Sequence, residues 1–104
     1  MSDTDISQPD EAADEYPLPP PSFELLVVSL KTQSEMQLGL LHFDESNRPE
    51  PDLRLARHTI DMLAMIQEKT RGNLSMDEQR LIDNSLTELR FRYIQALEQS
   101  KKPD

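Results

Sequence analysis

The chain has 104 residues, of which 36% are hydrophobic, with no cysteine and a formal net charge of −9. This length supports one domain at most, and the lack of cysteine excludes disulfides and thiolate metal sites. No apolar run is long enough for a membrane span, and the N-terminus lacks the basic and apolar regions of a signal peptide. We therefore expect a cytoplasmic protein with no membrane partner.

Residues 1–21 are predicted to be a disordered, acidic and proline-rich tail. They carry six acidic residues and no basic one, and end in Pro17-Leu18-Pro19-Pro20-Pro21. Such a segment buries too little apolar surface to offset its ordering entropy, and its end favours a polyproline II spacer. The tail could simply solvate the protein, bind a basic partner or serve as a polyproline ligand.

The first helix is predicted over residues 22–38, from an N-cap at Ser22 to a terminating glycine at Gly39. Its first turns carry apolar residues at helical spacing, namely Phe23, Leu26, Val27 and Leu30. Adjacent valines also suit a strand, which is the alternative for this segment.

The second helix is predicted over residues 52–71, with an N-cap at Asp52 and a terminating turn at Gly72. Its apolar face is wider than the roughly 100° that an edge helix buries.

The third helix is predicted over residues 75–99, because Ser75-Met76-Asp77-Glu78 has the pattern of a capping box. The short link before it predicts that helices two and three form an antiparallel hairpin. The sequence thus predicts an all-α fold of three helices within residues 22–100, with residues 101–104 disordered.

The chain shows no arrangement typical of an active site. His58 and Asp61 lie three residues apart on helix two, where a histidine and carboxylates can bind a metal or transfer a proton, but a surface salt-bridge stripe explains them as well. No serine elbow or phosphate-binding glycine loop is present. We expect no catalytic residue, no metal and no cofactor.

Nucleic-acid binding is also not expected. Arg90-Phe91-Arg92-Tyr93 could stack on single-stranded RNA. However, Tyr93 belongs to the apolar stripe of helix three, acidic residues lie nearby, and the chain beyond residue 21 has a small negative charge rather than a basic excess.

Three short helices carry more apolar surface than one copy can bury, which predicts self-association. A closed two-fold dimer is the expected form, with a different protein partner or a monomer as alternatives. The interface candidates are Phe23, Leu26, Val27, Leu30, Met62, Leu63, Ile66, Phe91 and Ile94.

Several blocks of the sequence match a known pattern in order. They include Phe23-Glu24-Leu25-Leu26-Val27-Val28-Ser29-Leu30, Thr59-Ile60-Asp61-Met62-Leu63 and Gln67-Glu68-Lys69-Thr70-Arg71-Gly72-Asn73-Leu74. On these residues the chain resembles the bacterial domain-of-unknown-function 1844 family of small uncharacterised proteins. The resemblance implies a bacterial source and a helical domain, and it implies no reaction or substrate.

Some residues in these blocks are polar, namely Gln33, Gln67, Glu68, Lys69 and Asn73. They could cap helix ends and fix the hairpin, or form a shared polar surface near the turn between helices two and three.

The sequence therefore favours a non-catalytic helical interaction module that self-associates through helices one and two. The alternative is an accessory protein whose acidic tail binds a basic partner, such as a ribosomal or nucleoid component.

Overall fold

Three α-helices make up the regular structure of the protein. The computed structural model describes residues 17–41, 44, 46 and 49–101. The helices are α1 (Phe23–Gln37), α2 (Leu53–Lys69) and α3 (Met76–Ser100). The predicted all-α fold of three helices is confirmed, and because these described residues contain no strand, the strand alternative for the first segment is wrong.

The predicted tail lies largely outside the described residues. Residues 17–21 precede α1 without regular structure and are exposed to solvent. The first 16 residues, and residues 102–104 of the predicted C-terminal end, are outside the described part of the chain.

Each helix begins at the N-cap residue that the sequence predicts. The side chains of Ser22 and Asp52 each accept a hydrogen bond from the backbone N–H three residues further on, at 3.0 and 3.1 Å. At α3 both bonds of the capping box form: Ser75 Oγ accepts from the Glu78 N–H at 3.1 Å, and the Glu78 carboxylate accepts from the Ser75 N–H at 2.9 Å. These bonds occupy N–H groups that have no partner within the helix.

The end of α1 is a Schellman motif around Gly39. This glycine has a φ of +78°, a left-handed conformation that residues with a Cβ adopt at a cost. The N–H groups of Gly39 and Leu40 donate to the carbonyls of Met36 and Glu35 at 3.0 and 2.9 Å, as this motif requires.

The end of α2 differs from the prediction. The helix stops at Lys69, and Thr70 is its C-cap. Gly72, with a φ of +86°, lies in a following turn that the Asn73 N–H closes on the Thr70 carbonyl at 2.9 Å. The glycine therefore shapes the link to α3, and does not directly follow the cap.

The connection between α1 and α2 is closed at its base. The Asp52 N–H donates to the Gln37 carbonyl at 2.7 Å, so the end of α1 and the start of α2 are joined by backbone. We call this contact the neck of the connection.

Each helix packs against the other two. The side chains that pack between them are at most 4% exposed: Val27, Leu38, Ala56, Ile60, Leu63, Ile82, Leu86 and Leu89. Three polar residues, Ser34, Thr59 and Ser85, are buried with them.

Candidate functional site

A buried threonine joins α1 to α2. Thr59 is 1% exposed, and its hydroxyl donates to Gln37 Oε1 at 2.7 Å and accepts from Gln33 Nε2 at 3.4 Å. A buried hydroxyl without partners is costly, and here it has partners on the neighbouring helix as well as the Leu55 carbonyl of its own helix at 3.2 Å. The contact also places the side of α1 that carries Gln33 beside α2.

The outer surface of α1 and α2 is largely apolar. On α1 Leu26 is 45% exposed and Met36 is 57% exposed, while on α2 Leu55 and Met65 are 46% and 50% exposed. Met62 and Ile66, on the same side of α2, are partly buried.

These residues share one side of each helix, as the turn of 100° per residue requires. We call this surface the acid-free face. It is made of Leu25, Leu26, Ser29, Gln33 and Met36 of α1 together with Leu55, His58, Met62, Met65, Ile66 and Lys69 of α2.

The acidic residues of both helices lie outside this face or at its border. Glu35 of α1 pairs with Lys31 at 3.8 Å, and Lys31 also contacts Glu88 of α3 at 3.3 Å, so these charges lie where α1 meets α3. On α2, Asp61 pairs with Arg57 at 3.8 Å and borders the face, because it lines a concavity with Leu55 and His58. Within the described residues, no carboxylate belongs to the acid-free face.

The structure divides the predicted interface residues into three groups. Leu26 is exposed, Met62 is partly buried, and Phe23, Leu30 and Ile66 are partly buried against the core. The structure removes Val27 and Leu63 from the set, because both are fully buried among the helices and have no surface for a partner.

Phe91 and Ile94 form a separate apolar area. They are 60% and 52% exposed, and they lie on the side of α3 that faces away from the core residues Leu86 and Leu89. The nine predicted residues therefore do not form one surface.

The predicted polar surface is only partly assembled. Gln67 Nε2 donates to Asp83 Oδ1 of α3 at 2.7 Å, and Glu68 pairs with Arg71 at 2.7 Å. Lys69 and Asn73 are exposed near the same turn. Gln33 lies apart from them. It contacts Thr59, which precedes Gln67 by about two turns of α2.

Gln67 is part of a contact that the sequence did not indicate. Gln79 Nε2 also donates to Asp83 Oδ1, at 3.0 Å, so one carboxylate accepts from two amides on different helices. These bonds link α2 to α3, which is the local structural role considered for the polar residues.

His58 and Asp61 do not share a metal-binding arrangement with other residues. Both are exposed, and the Asp61 carboxylate is paired with Arg57. The described residues contain no group of three or more His, Cys, Asp or Glu side chains that could hold a metal ion. Nor does any helix in this part of the chain combine the length and the apolar character needed to cross a membrane.

One comparison with known proteins gives a match. The model of a family described as Domain of unknown function (DUF1844) matches residues 20–95, which include all of α1 and α2 and most of α3. No curated protein and no solved structure matches the chain.

Proposed function

Because the chain belongs to the family described as Domain of unknown function (DUF1844), a description that assigns no activity, we propose a function from the surface of the protein. The protein is a non-catalytic helical interaction module, and its partner is a second copy of itself. The two copies meet through α1 and α2, in a dimer with two-fold symmetry.

The acid-free face is the observation that carries this proposal. It combines exposed apolar side chains from two neighbouring helices, including Leu26, Leu55 and Met65. A contiguous apolar area on a soluble domain is typical of a binding surface.

The charge of the chain favours the same face. Each copy carries a net charge of −9, of which six units belong to residues 1–21, so two copies repel one another overall. Carboxylates placed opposite each other cost several kcal/mol. When two copies meet through the acid-free face, the two surfaces in contact contain no carboxylates of their own, so this repulsion is avoided.

The spacing on α2 suits contact with another helix. Leu55, His58, Met62, Met65 and Lys69 follow one another at alternating intervals of three and four residues. This is the repeat by which side chains of one helix fit between those of a second. Methionines at its centre are flexible enough to adapt to a partner surface.

A concentration series tests the proposal. Sedimentation equilibrium at micromolar concentrations should give twice the mass of the chain for the natural protein. Met65→Glu should give the mass of one chain, because it places two like charges inside the interface. Met76→Glu is the matched control: Met76 is 76% exposed and lies at the start of α3, away from the face, so the dimer should persist.

Two results would refute the proposal. One is a natural protein with the mass of one chain across the series, and the other is equal dissociation of the two variants. Circular dichroism of each variant shows whether the helices are intact, so loss of folding is not mistaken for loss of the dimer.

We also infer that α2 and α3 form the antiparallel hairpin that the sequence predicts. The link between Lys69 and Met76 is short, and Gln67 near the end of α2 bonds to Asp83 near the start of α3. In this arrangement Leu63 lies next to Leu86, and Ile60 lies next to Leu89. Nuclear Overhauser contacts between the methyl groups of each pair test it, since a parallel arrangement does not give both.

A further inference from the structure

An exposed aromatic side chain on α3 has basic neighbours on both sides. Phe91 is 60% exposed and Ile94 is 52% exposed. Consecutive residues of a helix project 100° apart, so Arg90 and Arg92 flank Phe91. We call these four residues the α3 patch. It lies outside the acid-free face, so dimerisation there leaves it open.

The α3 patch carries two arginines and no carboxylate of its own. Arg90 and Arg92 are exposed, and within the described residues neither takes part in a salt bridge. Glu88 lies one helical turn before Phe91 and Arg92 and is paired with Lys31 of α1 at 3.3 Å. Glu50 lines a concavity with Arg92, and Glu98 lies one turn beyond Ile94. Arg90 has no acidic residue three or four positions away on α3, so it is the cation most available to a ligand beside the aromatic ring.

The chain itself contains a segment with the complementary chemistry. Residues 3–16 carry six carboxylates, no basic residue, and an aromatic ring at Tyr16 next to Glu15. Arginine forms strong bidentate bonds with carboxylates, and paired aromatic rings add stabilisation beyond their buried area. We propose that this acidic segment docks on the α3 patch of its own molecule.

The segment is long enough to reach the patch. Ser22 to Lys31 spans about 14 Å of helix, Lys31 contacts Glu88, and packed helix axes are about 8–10 Å apart. Phe91 therefore lies within about 30 Å of Ser22. The eight to twelve residues from Ser22 back to Asp14 and Asp10 extend to roughly 26–40 Å.

Attachment to the same chain makes a weak contact effective. A short tether gives an effective concentration in the millimolar range, so docking does not need the affinity that a free peptide would need. The attraction is between exposed charges, and salt screens it: the Debye length falls to about 3 Å at 1 M ionic strength.

A spin label on the acidic segment tests the contact in the full chain. The protein has no cysteine, so Ala12→Cys creates a unique site for a nitroxide and leaves every carboxylate in place. The nitroxide broadens the resonances of nearby amides, and we call the resulting decrease in peak intensity the paramagnetic loss. We expect this loss to be larger for the amides of residues 88–97 than for any other helical amides. At 1 M salt these amides should regain their intensity.

Paired variants assign the loss to the patch. Arg90→Gln with Arg92→Gln should abolish the loss. Arg54→Gln with Arg80→Gln removes two exposed arginines elsewhere on the helices and should leave it unchanged. Phe91→Ala should reduce it at constant charge.

Three results would overturn the proposal. The first is loss spread evenly over the helices or absent from α3, which leaves the segment available to a basic partner. The second is loss that survives removal of Arg90 and Arg92. The third comes from a mixture of spin-labelled copies without isotopes and isotope-labelled copies without the nitroxide. If the α3 amides lose intensity in this mixture, the contact is between molecules. A monomeric mass in sedimentation would refute the dimer and leave this test intact.

Discussion

Gly39 and Gly72 both adopt a left-handed backbone, but their surroundings differ. A Cβ added at Gly39 would lie 2.9 Å from the Pro49 carbonyl oxygen, whereas one added at Gly72 would meet nothing within 4 Å. Real Cβ atoms essentially never approach a backbone atom as closely as 2.9 Å. A substitution at Gly72 therefore measures the free-energy cost of a left-handed backbone alone. A substitution at Gly39 adds the cost of a steric clash.

Alanine at these positions should destabilise the protein unequally. Gly72→Ala should lower the free energy of unfolding by about 1–2 kcal/mol, the cost of a left-handed residue with a Cβ. Gly39→Ala should lower it further, because the Pro49 backbone has to move. Urea denaturation measures both, and equal losses would contradict the close approach at Gly39.

Removing the cap of α3 should cost about 1 kcal/mol. Ser75→Ala deletes the oxygen that accepts from the Glu78 N–H and exposes the end of α3 to fraying. Ser100→Ala is the control, since its hydroxyl only bonds to the Leu97 carbonyl in the last turn of α3. If urea denaturation gives the two variants the same stability, the capping box contributes nothing measurable.

Local residue chemistry was predictable from the sequence, and tertiary contacts were not. The N-caps depend on residues within one turn, so the sequence alone predicts Ser22, Asp52 and Ser75. The burial of Thr59 is harder to predict because the residue is polar, although it lies three and four residues from the core positions Ala56 and Leu63. That spacing was the signal that could have placed it among the buried residues.

At the scale of the helices, α2 shows why a wide apolar face was hard to interpret. The face divides into one side that packs in the core, including Ile60 and Leu63, and another that stays exposed, including Leu55 and Met65. Periodicity shows that both sides are apolar. It does not show which side meets α1 and α3, so the sequence places Leu63 among the interface candidates although the side chain is fully buried.

Leu63→Asp should unfold the protein. Leu63 is fully buried, and a carboxylate there would lose its hydration without gaining a partner. Met65→Asp is the matched control two residues further on, where half of the side chain is exposed. The far-ultraviolet circular dichroism of a helical protein should be lost in the first variant and kept in the second at the same concentration.

The end of α2 also depended on contacts that the sequence pattern did not specify. The Thr70 hydroxyl donates to the Ile66 carbonyl at 2.8 Å, and the Arg71 N–H reaches back three residues to Glu68 at 3.3 Å. A last turn of this tighter type is common at helix ends. It ends the α-helix before the glycine that suggested a later boundary.

At the scale of the whole molecule, the distribution of charge defines the surfaces. Net charge is a property of the sequence, but the separation of the acidic residues from one outer face follows from how α1 packs against α2. Buried apolar side chains pack between these helices, and Thr59 joins them through hydrogen bonds with Gln33 and Gln37. No pattern in the sequence indicated these bonds, so the acid-free face was not predicted as such.

A dimer makes thermal stability depend on concentration. If two copies bind in the folded state, the midpoint of thermal unfolding should rise with protein concentration. Met65→Glu should remove this dependence, and Met76→Glu should keep it. Differential scanning calorimetry over a hundredfold concentration range measures it, and a constant midpoint for the natural chain would show that folding and association are not linked.

The neck of the α1–α2 connection has a practical consequence. Because the Asp52 N–H is bound to the Gln37 carbonyl, the end of α1 and the start of α2 are held together at the base of the connection. Asp44 and Ser46 in the outer part of the connection are exposed. A tag inserted beside Ser46 should therefore lengthen the α1–α2 connection without changing how the helices pack. This position is suitable for attaching the protein to a surface or a dye.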